Sequence, residues 1–243
     1  MRPLLLFPLL VSSALAFAES APLRFSAVDS WAMPVAQIEG NELTGGILFD
    51  IIQGLSQRLD RPLEVDVLPR TRVQLALEHG DIDVRCYVSP NWMGDLGVDY
   101  LWSEPILIQR DLLVSAPDNA LPVDPQHLPA QSIGTVLGYA YPSLQQRFEN
   151  GTLQRDDARN QGLVLQKLGA GRYHYAVSSE LALKWFNRGM PASERLAAVA
   201  VLEEEPVACL VRNAPEIPAN EIVRALARMR ASGEIERIVS RYR

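Results

Sequence analysis

The side chains with chemistry to offer are three histidines, two cysteines, several carboxylate pairs, and a set of arginines and aromatic rings. His79, His127 and His174 lie far from either cysteine, and no H-x-x-x-H or H-E-x-x-H spacing occurs, so no zinc site is expected. Cys86 and Cys209 are too few for a metal cluster; they are either a disulfide or two buried thiols. There is no G-x-S-x-G elbow and no glycine-rich phosphate loop, since Gly138-Tyr-Ala-Tyr is not a P-loop. Asp81/Asp83 and Asp156/Asp157 sit in turn or strand contexts and read as solvated carboxylates, not an acid–base pair. What remains is non-covalent recognition. Arg70, Arg72 and Arg85 offer guanidinium forks for an anion, and Trp31, Tyr87, Trp92, Tyr139 and Tyr141 offer stacking and cation–π faces. No catalytic residue, metal or cofactor is expected.

The elements that must carry these residues follow from hydrophobic periodicity. Residues 23–28 alternate as a strand, and Leu48, Ile51, Ile52, Leu55 and Leu59 fall at helical spacing up to Asp60-Arg-Pro62. Residues 63–68 alternate again, 72–79 form a short helix stopped by Gly80, and 82–88 form a third strand. This β-α-β-α-β order predicts a mostly parallel sheet flanked by helices. A strand at 111–115, then a proline-rich connection over 116–131, lead into a second α/β run. Its strands are predicted at 132–136 and 173–177, and its helices begin near Pro142 and Leu163 and again over Leu181, Trp185 and Phe186. Strands at 199–202 and 207–211 and two helical pieces over 220–243 complete the chain. Trp102 and Trp185 read as structural, the latter as core.

Two successive α/β runs suggest two lobes and a cleft, with ligands at the carboxyl ends of strands. Those ends are 28–31, 87–92, 138–141 and 178–180, which gather Asp29, Trp31, Tyr87, Trp92, Tyr139, Ser178, Ser179 and Glu180. The helix starting near Tyr141-Pro142 also presents unpaired N–H groups to an anion.

Bulk properties narrow the class. A net charge of −6 argues against a nucleic-acid partner, because phosphate binding needs a basic patch. Met1-Arg2, an apolar run over 4–11 and the small-residue end Ala16-Phe17-Ala18 have the layout of a cleaved secretory leader, 1–18. An apolar first strand or a retained anchor is the alternative. A leader places the mature chain in the periplasm, where a disulfide is permitted. No later apolar stretch approaches the ~18 residues a membrane span needs.

The motifs, taken in order, resemble the family 3 extracellular solute-binding proteins, the polar amino-acid receptors of ABC importers. They are Leu43-Thr-Gly-Gly-Ile-Leu-Phe-Asp50, Leu75-Ala-Leu-Glu-His-Gly-Asp-Ile-Asp83, Ser89-Pro90, Val98-Asp-Tyr-Leu-Trp-Ser-Glu-Pro105, Gly134-Thr-Val-Leu-Gly138, the stretch from Leu168 to Val177, and that from Ala231 to Tyr242. The resemblance covers about Leu23 to Arg243. It implies a two-lobed periplasmic-binding-protein fold of type II, with lobe 1 at 23–107 and 206–243 and lobe 2 at 110–203. Each lobe would be a mixed, mostly parallel sheet flanked by helices. It also sets the strand of Cys209 beside that of Cys86, which makes a disulfide between them geometrically feasible, and it turns the helix opened by Arg70 and Arg72 toward the cleft.

The same resemblance exposes a departure. Trp92 stands where the family's ligand-carboxylate arginine would be, and Ser179, next to Glu180, stands where its ligand-ammonium aspartate would be. Scaffold and site chemistry are separable, so the implied function is a monomeric receptor for a small polar, aromatic or cationic molecule, handing it to an inner-membrane ABC permease. A dehydratase-like enzyme, with Glu180 as its carboxylate, and a periplasmic sensor are the alternatives.

Overall fold

The computed structural model describes residues 21–93 and 99–242; the leader at 1–18 lies outside them. The first run comprises β1 (Leu23–Val28), the hairpin β2 (Gln37–Glu39) and β3 (Glu42–Gly45), α1 (Ile47–Leu59), β4 (Leu63–Leu68), α2 (Arg70–His79), β5 (Val84–Val88) and β6 (Tyr100–Trp102). A long β7 (Leu107–Ser115) leads to β8 (Gln131–Val136), α3 (Pro142–Glu149), β9 (Leu153–Ala158), α4 (Gln161–Gly169), β10 (Tyr175–Ser179) and α5 (Glu180–Phe186). The chain returns through β11 (Ala197–Arg212) to α6 (Ala219–Ala231) and α7 (Glu234–Ser240).

The strands are hydrogen-bonded in the order β4-β1-β5-β11-β7-β10-β8-β9, with β6 added beside β11. β1 runs parallel to β4 and β5, and β8 runs parallel to β9 and β10. β7 and β11 are antiparallel to each other and pass through both halves: β11 pairs with β7 over residues 197–207 and with β5 and β6 over 208–212. One core draws on residues 23–106 and 207–239, with Leu181 reaching in from α5. The other half is packed on both faces of its sheet. Leu112, Val114, Val136 and Ala176 lie on one face, and Leu113, Ile133, Tyr175 and Val177 lie on the other. Burial on both faces explains the short unbroken apolar runs at residues 112–114 and 175–177. The result is a two-lobed α/β body.

Several local details follow from residue type. α2 ends on Gly80 in the left-handed region, as its sequence position predicts. Gly46 enters α1 at φ 101, where a Cβ would meet the Ala36 backbone at 2.7 Å. Gly134 lies under the ring of Tyr173, which a Cβ would overlap.

Three expectations need correction. β9 (LQRDDA) carries no alternating apolar pattern, yet it pairs with β8 as an edge strand. Its carboxylates are held, not free: Asp156 by Lys167 and Arg172, Asp157 by Arg155 and Thr135. The two strands expected at 199–202 and 207–211 are one strand, uninterrupted by Pro206. Asp83 is also not solvated. Its side chain is 1% exposed and accepts from Arg24 of β1 and Arg212 of β11. Among the described residues no helix is long and apolar enough to cross a membrane.

Candidate functional site

Where β7 and β11 cross between the halves, a cavity of about 210 Å³ opens. From the first half it is lined by Val28, Trp31, Arg70, Arg85, Tyr87, Asn91 and Trp92, and from the second by Tyr139, Ala140 and Pro142; Gln109, Asp111 and Glu203 of the crossing strands form its base.

Tyr87 reaches this cavity through a break in strand pairing. Ala208 pairs with Val88 and Cys209 with Cys86, so Tyr87 is the extra residue of a bulge, with φ at 60. A bulky side chain rarely adopts that conformation, and bulges beside binding sites re-aim side chains. The cross-strand disulfide Cys86–Cys209 fixes the bulge's flank, and Ser103 closes the other side by accepting from the Cys209 N–H. The Tyr87 ring meets Trp31 edge-on, centroids 5.9 Å apart. Burial pushes its phenol well above the ordinary range, so it stays a neutral hydroxyl.

Trp92 is held by a different device. Ser89 caps the single turn Pro90–Trp92, and Glu205 of β11 accepts from the Ser89 hydroxyl at 3.1 Å and from the Asn91 amide at 3.1 and 3.2 Å. The turn that carries Trp92 is thereby tied to a crossing strand. Opposite, Tyr139 follows the left-handed Gly138, and the Arg70 guanidinium lies 4.7 Å from its ring centroid, spanning the cleft.

The sequence-derived candidates thus divide. Trp31, Arg70, Tyr87, Trp92 and Tyr139 come together around the cavity, and Arg85 joins them. Asp29 and Arg72 are not in its lining; Arg72 is exposed on α2. Ser178 is fully buried, and Ser179 caps α5 by accepting from Ala182 N–H. Glu180 pairs with Arg110 and Lys184, and together with Ser179 it borders a small adjoining recess, beside Leu107 and Val239, that shares Tyr87 and Gln109 with the cavity. The physical reason is the direction of β10: its end runs beside Asp111 of β7 and α5 starts there at once, so Ser179 caps the helix, the Ser178 hydroxyl donates to the Ser179 carbonyl, and Glu180 is held by Arg110 and Lys184. Tyr141 is 3% exposed; its hydroxyl accepts from Val136 N–H, inside the second half's core. The N-terminus of α3 is already capped, because Ser143 N–H donates to Glu203 at 2.8 Å. Trp185 is half-buried against Tyr242 rather than core.

Sequence reasoning missed Gln109, Asp111 and Glu203. Asp111 and Glu203 are cross-strand partners, as are Gln109 and Glu205. The alternation of 109/111 and of 203/205 was a signal, available only to a reader who took β7 and β11 as strands through these positions. Desolvation raises Asp111 to about 6, with Gln109's donated hydrogen bond opposing and Glu203 and Glu205 adding to the rise. The folded form therefore holds this proton more tightly than the unfolded chain. Asp111's stability contribution is complete below about pH 4 and is lost as pH rises through 6. The Asp111→Asn variant should gain roughly 2–3 kcal/mol on wild type between pH 4 and pH 7.5, read by urea unfolding at both values. A pH-independent gap between the two proteins would contradict this.

No family model matches the chain, and no curated protein matches it. Solved structures do. An ancestral arginine-binding protein bound to arginine is 19% identical, with 92% of this chain and 98% of that one covered and a TM-score of 0.73. A histidine kinase sensor domain with similarity to periplasmic binding proteins is 18% identical over 91% and 95%, TM-score 0.71. An ancestral amino acid-binding protein, a precursor of cyclohexadienyl dehydratase, is 16% identical over 92% and 95%, TM-score 0.71. At these identities the likeness shows the fold: the two-lobed α/β architecture of periplasmic binding proteins.

Proposed function

We propose that this protein captures a small polar or aromatic molecule in the cavity between its lobes and is not an enzyme. The observation that carries the reading is the convergence of four rings, Trp31, Tyr87, Trp92 and Tyr139, drawn from both halves onto the strands that join them. Rings so placed sandwich a flat or apolar ligand body, while the arginines and hinge carboxylates select its polar ends. The lobes, 23–107 with 206–243 and 110–203, swing by bending β7 and β11, and ligand biases closure through its greater affinity for the closed form. The loaded form is then recognised by an inner-membrane ABC permease in the periplasm, where the leader would deliver it as a monomer. The arginine-binding neighbour supports this reading. The sensor-domain neighbour supports a second, in which the loaded form engages a signalling partner instead. The enzyme alternative loses its sequence-based carboxylate, because Glu180 is engaged outside the cavity.

Thermal unfolding across amino acids, organic acids, polyamines and quaternary amines tests the reading. A ligand at 100 times its Kd should add about 2.7 kcal/mol, and solution scattering should record compaction. The Trp31→Ala, Trp92→Ala double variant should lose both responses. Turnover of the stabilising compound would overturn the receptor reading in favour of an enzyme.

A further inference from the structure

The polar groups of the cavity are not equally satisfied. At its base, Asp111 already accepts from Gln109 at 2.9 Å and Glu203 from the α3 N-terminus at 2.8 Å. Arg85 is different. It lies inside β5 with 8% of its surface exposed, and its Nε is buried with no partner. Among the described residues the one hydrogen bond from its guanidinium is a weak one, from Nη1 to the Met93 sulfur at 3.3 Å. No carboxylate among the described residues lies within ion-pair distance of it. Arg70 stands on the same lining and, among the described residues, has no ion-pair partner; its guanidinium lies over the face of Tyr139. Burial, with like-charge repulsion from Arg70 second, lowers Arg85 to about 10, which still leaves it charged at neutral pH.

A buried, charged and unpaired guanidinium is costly, and a guanidinium fork matches a carboxylate bidentately. Resting on the binding reading above, we propose that Arg85, assisted by Arg70, is the seat for the anionic group of the ligand, and that the ligand is an aromatic or otherwise flat organic carboxylate whose body lies among Trp31, Tyr87, Trp92 and Tyr139. Arg85 lies on β5 itself, seven residues before Trp92, and both face the same cavity. The two carboxylates at the base repel a second anionic group, so monocarboxylates are preferred over dicarboxylates.

The test uses benzoate and indole-3-acetate as aromatic carboxylates, benzyltrimethylammonium as an aromatic cation, and acetate as a small-anion control, all at matched ionic strength. The full mature protein should show a saturable rise in Tm with the aromatic carboxylates and little with acetate. Arg85→Met should fold with apo Tm equal to or above wild type, because it removes an uncompensated charge, and should weaken carboxylate binding at least tenfold. Arg70→Gln should weaken it less. Equal stabilisation of wild type and Arg85→Met by the carboxylates overturns the proposal. Stabilisation by the cation alone overturns it too but leaves the cavity reading standing. No response to any probe or to the wider panel removes both. Should Arg85→Met fail to fold, Arg85→Lys decides the matter: it keeps the charge, loses the fork, and should still bind carboxylates several-fold more weakly than wild type.

Discussion

Replacing both Cys86 and Cys209 with serine should cost about 2–5 kcal/mol of stability, toward the upper end because the bond closes a loop of more than 100 residues. The two cysteines are 123 positions apart and directly opposite on adjacent antiparallel strands. The bond restricts the unfolded chain across the whole of the second half, which makes its effect large although it lies within a single sheet. The loss should appear as a lower urea midpoint at nearly constant slope, and wild type under a strong reductant should behave as the double variant does. A second effect should accompany the first. Tyr87 keeps its left-handed conformation only while its neighbours over-determine it. Freed of the bond, the bulge should relax, the Trp31–Tyr87 contact should loosen, and near-ultraviolet circular dichroism should weaken before the protein unfolds. A double variant with unchanged midpoint and unchanged aromatic signal would show that the strand pairing alone holds this region.

Asp83→Ala should cost about 3–4 kcal/mol, the lower part of the range for breaking a buried ion pair, since Arg24 and Arg212 keep partial contact with solvent. The carboxylate accepts from Arg24 Nε at 3.0 Å and from Arg212 Nη2 at 3.2 Å, and so joins β1, β5 and β11 at one point. Arg212 retains Glu216 after the change, but Arg24 has no second ion pair among the described residues. Asp83→Asn keeps an acceptor and should lose about half as much, because a hydrogen bond to a charged group contributes roughly 1.5–3 kcal/mol. Equal stability of Asp83→Ala and wild type in denaturant would mean that water serves the two arginines as well as this carboxylate does.

The alternating and helical segments of the first half were legible because each has one buried face, and periodicity reports that directly: β1, α1, β4 and α2 lie within two residues of where the pattern put them. β9 was not legible, because its charges are satisfied by neighbours far away in sequence, and an edge strand needs only one paired side. The unity of β11 was hidden by Glu203-Glu204-Glu205-Pro206, a run that reads as a loop but here borders the cavity, a hinge ion pair and the Trp92 turn in succession. For the candidate site, the strand-end rule picked out Trp31, Tyr87, Trp92 and Tyr139, which the fold brings to one cavity, while Tyr141 turns into the core. Ser178, Ser179 and Glu180 lie outside that lining, where the end of a strand is also the start of a helix. The rule had no purchase on Asp111 and Glu203, which lie within strands.

The path of β11 also bears on the order in which the molecule can be completed. Residues 208–212 fill the place between β5 and β6, and α6 and α7 pack on the helix α1. A chain that emerges N-terminus first, from the ribosome or from the membrane it crosses, therefore presents β1 to β5 first and leaves that sheet with an open edge until residues 208–212 arrive. The uninterrupted middle segment can mature earlier. The half made first is the last to be finished, and until then its cysteine at 86 is a free thiol awaiting a partner not yet synthesised.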